Sequence, residues 1–143
     1  MQGITGANDK IRIVSTIIEK NVFLANSCNY IIAISKDSTY SINFLLGIFN
    51  SKFTNWIFRR SSTNSNVNCY EVNNLKLPHF NKSIFNQIEE LASFCSSKKD
   101  TEAEEDKIDL LVYKLYKLDF KSIKLIDPQF ILTEEEYTNY QIN

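Results

Sequence analysis

The sequence predicts an α+β fold: a small, mostly antiparallel or mixed sheet with a long amphipathic helix, followed by a C-terminal helical hairpin. Three observations lead there. Residues 11–34 are rich in β-branched and aromatic side chains in short runs, the signature of strands. From Ser41 the apolar period changes to that of a helix, and from Ser83 it does so twice more, with a polar stretch between.

The first ten residues, with Gly3 and Gly6, read as a connection and open as if within a domain. Runs at 11–18 and 22–25, parted by the turn-like Glu19-Lys20-Asn21, and a third run at 30–34 make a meander of strands. Ser41 is placed as the N-cap of a helix of about four turns whose stripe is Ile42, Leu45, Leu46, Phe49, Phe53, Trp56 and Ile57. Phe44, Ile48 and Phe58 lie off that stripe, so neighbours should cover this helix on more than one side, and Gly47 marks a close crossing. Residues 67–72 read as a short strand, and Leu75-Lys76-Leu77-Pro78 as an exit segment that its proline keeps out of a central strand. Ile84, Ile88, Leu91 and Cys95 then form one helical face, and Ile108, Leu111, Val112, Leu115 and Leu118 another, joined across the polar residues 96–107 as a hairpin. Thr133, followed by Glu134, Glu135 and Glu136, caps a short last helix. Residues 1–80 are thus the α+β core and 81–143 a helical segment packed on it, one compact domain overall.

Composition narrows the function classes. With 143 residues, 43% hydrophobic and 23% charged, the chain is long enough to bury a sizeable core without staples. Cys28, Cys69 and Cys95 are widely spaced and odd in number, so neither a disulfide framework nor a zinc site is expected, and a reducing cytoplasm fits. No apolar run approaches the ~18 residues that span a bilayer. Charge is uneven: residues 1–99 carry eleven Lys/Arg against six Asp/Glu, and residues 100–143 carry five against eleven. A basic first part favours an anionic partner. The acidic residues from Glu102 to Asp109 read as a solvent-facing helix surface, since consecutive carboxylates on a helix diverge. His79, the single histidine, sits beside Pro78 as a surface or packing residue, and no phosphate loop or dinucleotide fingerprint occurs. No catalytic residue, metal site or cofactor is assigned to this chain.

The densest polar chemistry follows the long helix. Arg59 and Arg60 precede Ser61, Ser62, Thr63, Asn64, Ser65, Asn66 and Asn68, which combine planar forks, hydroxyls and carboxamides in one connection. Guanidinium forks match guanine edges, carboxamides match adenine edges, and hydroxyls and ammonium groups serve phosphates. The candidate DNA-binding set is therefore Lys10, Arg12, Lys36, Lys52, Arg59, Arg60, Ser62, Thr63, Asn64, Asn66 and Asn68, with the lysines positioning the duplex and Arg59, Arg60 and the asparagines choosing bases. The same residues also read as an ordinary polar loop behind an Arg pair that complements a helix dipole.

Several blocks bear on that choice. "NDKIRIV", "FLANSCNYIIAI", "FLLGIFNSKFTNWIFRRSSTNSNVNCYEVNNLKLP" and "IDLLVYKLYKLD" stand in this order. Leu45 to Lys52 is similar to an "LLxxLNSK" helix, and Ile108 to Leu118 to a closing "IDxxVYxLYxL" block. Together they resemble the TaqI-like C-terminal specificity domain, the target recognition domain of type II restriction-modification enzymes and adenine-specific DNA methyltransferases. The resemblance implies a module that holds double-stranded DNA, reads its sequence and presents an adenine to a methyltransferase domain of the same polypeptide, with S-adenosylmethionine as cofactor of the full-length enzyme and often a nuclease further upstream. The methyltransferase's Asn-Pro-Pro-Tyr-type motif is missing here, so this chain is expected to be a specificity piece without activity of its own. The rival expectation is a protein-interaction or dimerisation module in which the helical hairpin docks on a partner.

Overall fold

The computed structural model describes residues 1–6, 9, 11–32, 39–62 and 64–142. Seven helices occur among them: α1 (Ile42–Asn50), α2 (Lys52–Ser61), α3 (Cys69–Asn73), α4 (Lys82–Ser97), α5 (Glu102–Leu115), α6 (Phe120–Ile126) and α7 (Glu134–Asn139). No sheet is formed among the described residues, which corrects the expected α+β class to a mostly helical one. Two isolated antiparallel bridges, Gln2 with Cys28 and Ile4 with Asn66, are the nearest approach to strand pairing.

The reason lies in where the backbone of residues 11–25 finds its partners. The amides of Arg12 and Ile13 both donate to the side-chain carbonyl of Asn55, at 2.7 and 2.8 Å. Ser15 exchanges two bonds with the Asn50 carboxamide, its amide donating at 2.8 Å and its carbonyl accepting at 3.0 Å. Helix-borne carboxamides thus occupy positions that a neighbouring strand would fill. Farther along, Asn21 adopts a left-handed φ of 67° at the expected turn, but the residues on either side of it form no ladder. The β-branched composition therefore leaves Phe23 98% exposed, with Ile17, Ile18, Tyr30 and Ile32 also exposed. Residues 33 and 34 of the third expected strand lie outside the described residues.

The single long helix expected from Ser41 is two. Ser51 takes an extended backbone, φ −63° and ψ 150°, and serves as C-cap of α1 and N-cap of α2. Its hydroxyl donates to the Ile48 carbonyl at 2.7 Å and accepts from the Thr54 amide at 3.2 Å, so one side chain satisfies both orphaned ends. Most of the strand expected at 67–72 is helical: 69–72 belong to α3, whose first turn is closed by Glu71 accepting from the amide of the N-cap Asn68 at 3.1 Å.

α4 packs against both α1 and α5. The α4–α5 connection is residues 98–101, shorter than the polar run suggested, because α4 continues to Ser97 and α5 starts at Glu102. Gly47 stands where α1 meets α4: a Cβ there would lie 2.7 Å from Cγ2 of Ile88. α6, capped by Asp119 through the Ser122 amide at 2.7 Å, has no counterpart in the sequence reading. α7 is capped by Thr133, whose amide donates to Glu136 at 2.7 Å. The main core joins Phe44, Ile48, Ile88, Leu111, Val112, Tyr113 and Ile123 across α1, α4, α5 and α6. A smaller cluster, Ile13, Phe49, Phe58, Val67 and Val72, ties the N-terminal segment and the α2–α3 connection to the other side of α1 and α2.

Candidate nucleic-acid interface

α2 carries cations at both ends, and the two ends have different surroundings. At its start, Lys52 sets Nζ 2.8 Å from Asp106, 3.0 Å from Asp127 and 3.5 Å from Asp109. Its backbone amide donates to Asp109 Oδ1 at 2.7 Å. Partial burial alone would pull the ammonium's proton affinity down, but the hydrogen bonds to Asp106 and Asp127 and the field of Asp109 outweigh it and raise it above the ordinary lysine value. Lys52 is thus committed to carboxylates and does not stand free for a phosphate. Of the acidic run expected to face solvent, Glu102 and Glu105 are exposed and Glu104 and Asp106 half-buried, while Asp109 is buried, which corrects the expectation at that residue. A helix N-terminus favours the carboxylates gathered there, and a C-terminus favours cations.

At the other end, Arg59 and Arg60 occupy the last turn and both are exposed. The Arg60 guanidinium lies over the Trp56 ring, 4.6 Å from its centroid, which fixes the plane of the fork while leaving its edge open. Eight residues separate Lys52 from Arg60, about 12 Å along the axis at ~1.5 Å per residue.

Arg12 is not a surface group. It is 0% exposed, its Nε donates to Thr5 Oγ1 at 2.9 Å, its Nη2 donates to the Asn64 carbonyl, and its carbon lies 5.6 Å above the Phe58 ring. The guanidinium therefore anchors the connection from beneath. Two further bonds hold that connection against the N-terminal segment: Thr5 N–H to the Ser65 carbonyl at 2.9 Å and Val67 N–H to the Gly3 carbonyl at 2.8 Å. Asn64 and Asn66 are exposed on this pinned loop. Ser62 is buried as the C-cap of α2, its amide donating to the Phe58 carbonyl at 2.8 Å. Asn68 is half-buried and its carboxamide is engaged within the chain, Nδ2 donating to Glu71 at 2.9 Å. Burial works against the Glu71 charge, but the Asn68 hydrogen bonds and the field of Arg12 prevail and hold its carboxyl below the ordinary glutamate value.

Of the candidate residues, Arg59, Arg60, Asn64 and Asn66 share one exposed end of α2 and its following loop, while Arg12, Lys52, Ser62 and Asn68 serve the fold. Lys10, Lys36 and Thr63 lie outside the described residues. The sequence reading missed Asn50, Asn55, Asp109 and Asp127. For Asn55 and Asp109 a signal existed, a carboxamide and a carboxylate inside apolar helical stretches. Cys28, Cys69 and Cys95 are free thiols, and no described helix is long and apolar enough to cross a membrane.

Comparisons of the chain with protein-family models, with curated proteins and with solved structures return no match.

Proposed function

We propose that the chain is a DNA sequence-recognition module of a restriction-modification enzyme, serving an adenine-specific, S-adenosylmethionine-dependent methyltransferase located upstream in the same polypeptide and having no catalysis of its own. One observation carries the reading: two exposed guanidinium groups at the end of α2 stand beside exposed carboxamides on a loop whose backbone is pinned by the buried Arg12. Base readout needs planar groups on a support that does not yield, because a misplaced fork or amide loses its paired hydrogen bonds. The sequence blocks that resemble the TaqI-like specificity domain point the same way.

The test is a fluorescence-anisotropy titration of the chain with duplex DNA, first a mixed-sequence pool and then a site selected from it, at increasing salt. Binding should weaken steeply with salt, and Arg59→Ala and Arg60→Ala, which remove base-reading forks, should each cost about 1–3 kcal/mol at the selected site and relax its sequence preference. Asn64→Ala should likewise reduce the preference for the selected site and, carrying no charge, leave the salt slope unchanged. Absence of duplex binding at low salt, or binding indifferent to salt, would sink the reading.

A second reading, a protein-docking module, draws on the exposed apolar side chains of residues 11–32, Phe23 foremost. Association with a methyltransferase partner that is unaffected by Arg59→Ala and Arg60→Ala, in a chain without DNA affinity, would favour it.

A further inference from the structure

The junction of α2, α5 and the end of α6 gathers three carboxylates around one ammonium. Asp109 and Asp127 expose only 7% and 9% of their side chains, so most of the surplus negative charge sits where water does not screen it. Among the described residues, no cation besides Lys52 pairs with these carboxylates. Tyr113 of α5 is fully buried, and burial together with the fields of Asp109, Asp127 and Asp106 holds its hydroxyl protonated. Lys124 of α6, three residues before Asp127, is committed to the carbonyls of Pro128 and Phe130, at 3.2 and 2.9 Å. The two oxygens of Asp109 are also unequal. Oδ1 accepts the Lys52 amide at 2.7 Å and must keep its lone pair, whereas Oδ2 lies 3.5 Å from Nζ, beyond a good hydrogen bond.

We propose that this junction is a proton-loaded latch: Asp109 takes up a proton from solvent on Oδ2 when the chain folds, so that α2 is clasped to α5 and α6 more tightly in mildly acidic solution than above neutrality. The proposal is independent of the DNA reading. Burial, the largest influence, pushes the Asp109 carboxyl up to about 7 from an ordinary 3.8, against the opposing pull of Lys52. A carboxyl whose folded value lies above its unfolded one binds a proton on folding. Its contribution is complete below the unfolded value, declines as pH rises, and is gone once pH passes the folded value.

Urea unfolding of the whole chain and of Asp109→Asn, followed from pH 4.5 to 8.5, tests it. The ratio of their unfolding constants should change by up to about tenfold per pH unit through the acidic side of the range, the native chain losing ground as pH rises, and should level off above neutrality. Parallel profiles would overturn the proposal. Should Asp109→Asn not fold, the carboxyl carbon shift of Asp109 in the native chain decides: a midpoint near neutrality supports the latch and a midpoint in the ordinary aspartate range refutes it. Lys52→Met provides a third readout, since removing the ammonium should move that midpoint upward; an unmoved midpoint also refutes it.

Discussion

Asn55 does more for the architecture than any residue singled out for recognition. Its carbonyl oxygen accepts the amides of Arg12 and Ile13, and its Nδ2 donates to the carbonyl of Ser51 at 3.2 Å, all in buried surroundings. Asn55→Ala strips the acceptor from two buried amides, each worth about 1–3 kcal/mol when left unpaired. The expected loss is roughly 2–4 kcal/mol of unfolding free energy, measured by urea denaturation, and a change within error of zero would contradict the account. This residue also shows the limit of reading a site from residue type. Arg12 and Arg60 are chemically identical in sequence, yet one is sealed over Phe58 and the other lies open over Trp56. Nothing local to either separates them. What decides is the tertiary position of Thr5 and Asn64, which present oxygen acceptors to Arg12 from seven and 52 residues away. Lys52 fails as a phosphate contact for the same reason, because its carboxylates come from α5 and from beyond α6.

At the scale of elements, periodicity located the stretches that form α1, α2, α4 and α5 but neither α3 nor α6, and hydrogen-bond competition determined much of the rest. Local chemistry was legible wherever it was self-contained: the Ser41 cap, the Thr133 to Glu136 box and the amphipathic faces of α4 and α5 are satisfied by their own neighbours. It misled at residues 11–25, because strand-forming composition specifies a ladder only if another strand is aligned, and here helix carboxamides take those bonds. It was silent at Ser51, whose hydroxyl divides one apolar stripe into two helices. Gly47 was read correctly as a place where backbone contact needs a missing side chain, since Ile88 on α4 is fully buried and fills the space. Gly47→Val should therefore cost about 1–3 kcal/mol through forced separation of α1 and α4, seen as a lowered urea midpoint. A raised midpoint would mean that the crossing has slack.

For the whole molecule, two clusters of buried side chains divide the labour. The larger one is built almost entirely from helices that also hold themselves together, α1, α4, α5 and α6 among them. The smaller one draws Ile13 from the N-terminal segment, Phe49 and Phe58 from α1 and α2, Val67 from the connection that bears Asn64 and Asn66, and Val72 from α3. Each contributor from outside the helices arrives on chain that has no ladder and little regular structure of its own. No stretch can leave this cluster without uncovering the others. Native-state amide exchange should accordingly show two tiers: the amides of Arg12, Ile13 and Val67 released together at a lower free energy, and those of α4 and α5 only on global unfolding. A single tier would show that the clusters are energetically one. If there are two, the Asn64 to Asn66 face is either wholly assembled or wholly lost at any instant, and whatever seizes it recruits Gly3, Thr5, Arg12 and Ile13 as involuntary accomplices.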